Sequence, residues 1–220
     1  MCGRYSFYID DYDKFYSDFE ITNKLDRLEP LYNIVPGMQV PVITKNSPKK
    51  IELMKWGLIP FWSKDPKIGY KMINARAEGI ETKPSFRKPL KSQRCLVPTS
   101  GFYEWKNIGN EKIPYYIKLK KEKVFAFAGL YDIWNDAEGY PLKTFTIITT
   151  SPNQLMESIH NRMPVILDVE IENKWLEIET ELKEIIKLLQ PFEDKKMEAY
   201  PVSKLVNNPA NNSNEIIKPV

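Results

Sequence analysis

Short apolar runs rich in β-branched and aromatic residues occupy the middle of this 220-residue chain, and polar turn signals such as Asn46-Ser47-Pro48 and Glu138-Gly139 separate them. Runs of this length and make-up predict strands over residues 39–44, 51–56, 94–97, 101–105, 115–120, 124–131 and 144–149. The charged string Lys120-Lys121-Glu122-Lys123 between two of them reads as the solvated turn of a hairpin. The helical period is rarer. Residues 11–19 space Tyr12, Phe15, Tyr16 and Phe19 three and four apart, as one packed helical face requires. Thr150-Ser151-Pro152 offers a capping hydroxyl and a first-turn proline to a short helix ending near His160. A third helix is predicted over 173–189, with Asn173 as its N-cap and Trp175, Leu176, Leu182, Ile185, Ile186 and Leu189 available to the core. From about residue 207 the chain becomes Asn-rich and reads as a loop or fraying tail. No internal repeat or Gly/Ser linker divides the sequence. The expectation is one α+β domain over 1–220, with a mostly antiparallel, barrel-like β-sheet and peripheral helices.

Composition narrows the setting. A hydrophobic fraction of 42% is ample for a core at this length. Cys2 and Cys95 are the only cysteines, too far apart to imply a disulfide framework or a metal site, so a reducing cytoplasmic compartment and no metal are expected. No basic, apolar leader opens the chain and no apolar run approaches the ~18 residues of a membrane span. The reading is therefore a soluble, intracellular protein without a membrane partner. The net charge of +3 does not by itself call for a polyanion. Its distribution is uneven, since residues 64–94 hold nine Lys or Arg against three acids. That strip is either solvated surface or a face for phosphates.

Candidate chemistry begins at the second residue. If Met1 is removed, Cys2 carries an α-amine beside its thiol, a 1,2-aminothiol whose nitrogen condenses with an aldehyde and whose sulfur then closes a thiazolidine ring. The alternative is a cysteine that only begins a buried strand. His160 is the sole histidine and the only near-neutral acid/base side chain; with Cys2 it could form a Cys/His nucleophile pair, or it is a polar residue at a helix end. In Gly101-Phe102-Tyr103-Glu104-Trp105, strand alternation sets Phe102 and Glu104 on one face and Tyr103 and Trp105 on the other. A core-facing Glu104 would have a raised pKa suited to acid/base work, whereas on an open face it is ordinary surface. Asn74-Ala75-Arg76-Ala77-Glu78, if extended, points an amide, a guanidinium and a carboxylate one way. Arg76 is then a phosphate fork and Asn74 a hydrogen-bonding reader, unless the segment is a capped turn with a surface ion pair. Trp56-Gly57-Leu58-Ile59-Pro60-Phe61-Trp62 is a core corner or a loop whose Trp stacks on bases, with Asn33-Ile34-Val35-Pro36-Gly37 as a second rigid loop. Cys95, in an apolar strand, reads as core filler.

Met1-Cys2-Gly3-Arg4, Asn33-Ile34-Val35-Pro36, Trp56-Gly57-Leu58-Ile59-Pro60, Asn74-Ala75-Arg76-Ala77-Glu78, Arg94-Cys95-Leu96-Val97-Pro98, Gly101-Phe102-Tyr103-Glu104-Trp105 and His160-Asn161-Arg162-Met163-Pro164 stand in this order from residue 2 to about residue 207. Together they resemble the SOS-response-associated peptidase (SRAP) family. The resemblance implies a barrel-like α+β domain, working without a cofactor and as a monomer, that senses abasic sites in single-stranded DNA, including junctions with duplex. It implies that Cys2, freed of Met1, forms a thiazolidine crosslink with the abasic aldehyde and shields the lesion, by Schiff-base chemistry of the lyase type. By the same resemblance Glu104 is the acid/base, His160 a further catalytic contact and Asn74 an orienting group. Arg4, Arg76 and Arg162 would contact DNA, while Trp62 and Pro36 would wedge it where duplex ends. The family name adds a thiol autopeptidase activity that removes residues before the cysteine. A cytoplasmic protein that joins the nucleoid when bound to DNA would follow. A cysteine peptidase and a noncovalent reader of modified DNA are the competing readings.

Overall fold

A computed structural model describes residues 2–23, 28–45 and 49–220. The Asn46-Ser47-Pro48 turn signal lies outside the described residues. One sheet is a closed ring. Strands β3 (Gln39–Lys45) and β4 (Lys49–Trp56) pair with each other, and β3 also pairs with β6 (Arg94–Thr99). Next come β9 (Phe125–Asn135), which pairs with β6, and β10 (Pro141–Thr150), which pairs with both β9 and β4 and so closes the barrel. The β4–β10 contact is parallel, as is that of the short β5 (Asn74–Arg76) along β10; the other pairings of the ring are antiparallel. Two further short strands, β11 (Met163–Pro164) and β12 (Ile166–Leu167), attach to β10 and β9.

The second sheet has five strands, all antiparallel. Its centre is β7 (Gly101–Ile108), flanked by β1 (Tyr5–Phe7) and β8 (Glu111–Leu119), with β2 (Leu31–Ile34) and β13 (Met197–Pro201) at the edges. One face packs Phe102 and Ile117 into the main core, alongside Tyr5, Trp56 and Phe127. The other carries Tyr103 and Tyr116 into a separate cluster with Val202, Val206 and Ile216. Each such fully buried large side chain contributes roughly 1.5–3 kcal/mol of transfer free energy. Gly101 is required by close approach: a Cβ there would lie 2.3 Å from Tyr116 Cζ.

The predicted fold class holds, and several local expectations change. The charged 120–123 segment is not a hairpin turn. The free edge of β8 is taken by β13, with Leu119 opposite Met197, so the chain crosses to the other sheet before β9 begins. The hairpin signal at Glu138-Gly139 is realised between β9 and β10, where Gly139 has φ +88° and Asp136 N–H donates to Tyr140 O. Helix α1 (Tyr12–Asp18) forms as expected, capped by Asp11, and helix α2 (Arg87–Ser92) precedes β6. Helix α3 (Gln154–Glu157) is capped by Asn153, which accepts from Met156 N–H at 2.9 Å, while Thr150 still belongs to β10. The predicted long helix divides into α4 (Val169–Leu176) and α5 (Leu182–Lys187). Buried Arg94 explains the break: its guanidinium takes the carbonyls of Trp175 and Glu177, the orphan acceptors where α4 ends. Asn173 is mid-helix rather than a cap, and its Oδ1 accepts from Lys49 Nζ at 2.7 Å.

The Asn-rich tail is docked rather than frayed. Asn33 Nδ2 donates to the carbonyls of Asn208 and Asn211 at 3.0 and 2.8 Å, Tyr32 N–H donates to Asn212 Oδ1, and Ile216 is fully buried. Its asparagines serve backbone groups that water would otherwise serve. Among the described residues no helix is long and apolar enough to cross a membrane.

Candidate active site

Strand register assembles the site. Tyr5 on β1 lies opposite Phe102 on β7, antiparallel, so stepping back from Tyr5 toward Cys2 advances along β7 toward Glu104. Tyr103 N–H donates to Arg4 O at 3.0 Å and carries that pairing beyond the end of β1. Cys2 is fully buried, with Sγ 3.9 Å from Arg4 O. Asn74, at the head of β5, donates from Nδ2 to Cys2 O at 2.9 Å; its Oδ1 is buried and has no hydrogen-bond partner among the described residues. His160 follows α3 on the segment leading to β11. Its Nδ1 accepts the Arg162 N–H at 3.1 Å, and Nε2 stands 4.0 Å from Glu104 Oε2.

The alternation argument for β7 is correct: Glu104 shares the buried face with Phe102, while Tyr103 and Trp105 join the opposite cluster. Burial pushes the Glu104 carboxyl above its ordinary range, opposed by the nearby His160. Burial, and then the charge of Glu104, push the Cys2 thiol far above its ordinary range. The thiol therefore holds its proton, and the carboxyl is biased toward holding one. The carboxyl lines an open cleft of about 490 Å3 together with His160, Trp105, Asn107, Lys112 and Asn207.

Cys2, Asn74, Glu104 and His160 are thus brought together. The remaining candidates are not equally free. Arg76 is exposed on β5, two residues on from Asn74 and on the same face. Glu78 is past the strand, in a turn, where it receives both terminal nitrogens of Arg162 at 2.6 and 2.9 Å. Arg162 also donates to Thr149 O at 2.6 Å, so its guanidinium fastens the His160 segment to β10 and the Glu78 turn. Arg4 gives Nη1 to Asn33 Oδ1 and Val206 O at 2.7 and 2.6 Å and lies 5.8 Å from the Trp105 ring centroid. Pro36 and Gly37, with φ +93°, occupy the central positions of a type II-like turn. That turn is anchored on Trp56, since Gly37 N–H donates to Trp56 O. The Trp56 indole donates to Ile73 O, next to Asn74. Trp62 is half exposed on the loop that follows β4, beside half-exposed Phe61 in sequence.

A family model described as SOS response associated peptidase (SRAP) matches residues 1–209. The chain belongs to the SRAP family. Among its relatives, the "Abasic site processing protein YoqW" of Bacillus subtilis (strain 168) is 52% identical over 223 residues, covering 99% of both chains. "Abasic site processing protein HMCES" of Xenopus tropicalis is 35% identical over 86% of this chain and 66% of that one. A crystal structure of a protein from Bacteroides thetaiotaomicron superposes with a TM-score of 0.91 over the whole of both chains at 36% identity.

Within this SRAP chain, sequence reasoning missed the residues that support the site rather than form it. Asn33 opens one of the quoted motifs, yet nothing there signals its task, which is to join Arg4 to the carbonyls of the C-terminal segment. Asn207, whose Oδ1 accepts from Trp105 Nε1 at 2.8 Å, sat in a stretch read as tail. Pairing of a polar tail with a strand 100 residues earlier leaves no local trace.

Proposed function

We propose that this chain processes abasic sites in single-stranded DNA, and at its junctions with duplex, by forming a covalent thiazolidine through Cys2 once Met1 has been removed. One observation carries the reading: Cys2, Asn74, Glu104 and His160, spread over 159 residues of sequence, are brought together as neighbours, and Glu104 and His160 line a cleft. Relatives named as abasic site processing proteins support the same substrate.

The abasic sugar is mostly a cyclic hemiacetal. A carboxyl that retains a proton, as buried Glu104 is placed to do, donates to the ring oxygen while the C1′ hydroxyl loses its proton, and the free aldehyde results. General acid/base assistance of this kind is worth roughly 10² to 10⁴-fold. The Cys2 α-amine, with an ordinary pKa near ~8, then adds to the aldehyde carbon. Water leaves to give the imine, and addition of the Cys2 S–H across C=N closes the ring with its proton on nitrogen. The net change is loss of one water. His160 and Glu104 exchange the protons, and Asn74, held on Cys2 O, orients the nucleophile and offers Oδ1 to the sugar. Arg76, exposed on the face of β5 that carries Asn74, would take a phosphate; Trp62 and Pro36 would turn duplex aside. Arg162 acts through His160, which it positions.

A peptidase working through a Cys2 thiolate is the weaker reading. Thiolate catalysis needs a lowered thiol pKa and a paired imidazole. Here burial raises the thiol, and His160 faces Glu104. The amine-first route needs no thiolate. Incubation with an abasic oligonucleotide followed by a denaturing gel should give a shifted band that Cys2→Ser lacks as a stable product. Absence of a Cys2-dependent band from protein whose intact mass shows Met1 removed would end the proposal.

A further inference from the structure

A second pocket, of about 580 Å3, opens between α1, the 121–124 segment and α4, and includes no residue of the Glu104 cleft. Its volume is in the range of small-molecule sites. Phe15 and Phe19 supply a buried aromatic floor, and Val124 and Val169 supply walls. Into this apolar space faces Glu172, only 3% exposed, whose Oε1 has no hydrogen-bond partner among the described residues.

A buried carboxyl oxygen without a donor is costly, and no task in the chemistry above uses it. Lys49 is the opposing charge, yet its donors go to Asn173 Oδ1 at 2.7 Å and Glu20 at 3.3 Å. The rim charges are largely cancelled in pairs, Lys14 with Asp18 at 2.7 Å and Lys123 with Asp10 at 2.8 Å. What remains outside these pairs is Asp11 and Glu122 against Lys121, an excess of negative charge around an apolar floor into which the Glu172 carboxyl faces. We infer that this pocket is a second binding site, for a small organic ammonium whose apolar or aromatic body lies on Phe15 and Phe19 and whose N–H groups reach Glu172. A neutral ligand would leave Glu172 as it stands, and an anion would meet the excess charge. The burial that pushes the Glu172 carboxyl up to about 8 is the cost that such a cation offsets.

The test is titration of the full-length protein with 2-phenylethylammonium chloride, with 2-phenylethanol as the uncharged counterpart, followed by amide NMR. The amine should give saturable shifts at Phe15, Phe19, Val124 and Val169, with a dissociation constant on the order of 1 mM. It should bind at least tenfold tighter than the alcohol. Glu172→Gln should erase that preference. Val169→Trp, at a half-exposed rim position, should block both compounds without disturbing the floor. Equal affinity for amine and alcohol, no saturable shift at these amides, or a tenfold preference persisting in a folded Glu172→Gln protein would each overturn the assignment.

Discussion

Glu104 and Glu172 are carboxyls of nearly equal exposure, 4% and 3%, and burial pushes both upward in pKa. Their neighbourhoods differ. Glu104 stands on a strand, beside the Cys2 end of β1, with His160 Nε2 4.0 Å away and a cleft in front of it. Glu172 stands on a helix, over an apolar floor, and its opposing Lys49 is engaged with Glu20 and Asn173. Burial sets the direction of a shift, but the surroundings decide what the retained proton is for. Beside a nucleophile and an imidazole it can be passed on. Over an apolar floor it neutralises a charge that would otherwise be stranded.

The largest expected effect separates the two in chemistry. Glu104→Gln keeps the shape of the side chain and removes its proton exchange, so the single-turnover rate of crosslinking to an abasic oligonucleotide should fall roughly 10² to 10⁴-fold. Glu172→Gln should leave that rate within about twofold. Equal losses in the two variants would mean that burial, and not the neighbourhood, is what the chemistry senses.

The second effect is on stability and has a definite sign. Glu172 has a folded-state pKa of about 8 against an ordinary 4.5, so between these values the folded chain holds a proton that the unfolded chain has released. Its contribution is fully present below about pH 4.5 and is lost as pH rises through about 8. The loss is on the order of 5 kcal/mol at most, a large part of a typical 5–15 kcal/mol stability. Glu104 acts with the same sign. Urea midpoints at pH 5 and pH 8 should therefore differ in the native sequence, and Glu172→Gln should remove most of the difference. An unchanged pH dependence in that variant would show that Glu172 is already ionised when folded.

The two carboxyls also mark how far sequence reaches. Glu104 was legible because a strand has a strict period of two, so apolar Phe102 fixed the face of Glu104. The barrel strands were legible because their short apolar runs are rich in β-branched and aromatic residues and several are bounded by turns. Glu172 was not, because the helix was read as starting at Asn173. Its signal was present in the spacing to Trp175 and Leu176, three and four residues on and both buried. The docking of the tail by Asn33 and the capping of α4 by Arg94 join residues 175 and 81 or more apart through single polar side chains, and no local pattern records such contacts. Convergence of Cys2 and Glu104 was equally silent until the β1–β7 register was known.

The smallest effect asks whether each carboxyl answers only to its own neighbour. His160 pulls the Glu104 carboxyl down, and Lys49 does the same to Glu172. Removing the partner from each pair, with His160→Gln and Lys49→Met, should raise the midpoint of the neighbouring carboxyl. Side-chain carboxyl 13C shifts followed against pH would record the change. Each rise should be under about one pH unit, or ~1.4 kcal/mol, because burial is the larger cause at both sites. The crossed effects should vanish: Lys49→Met should leave Glu104 and the crosslinking rate alone, and His160→Gln should leave Glu172 alone. A crossed shift as large as the direct one would mean that the two sites share one electrostatic field, and Glu104 could then no longer be treated as tuned by its own cleft.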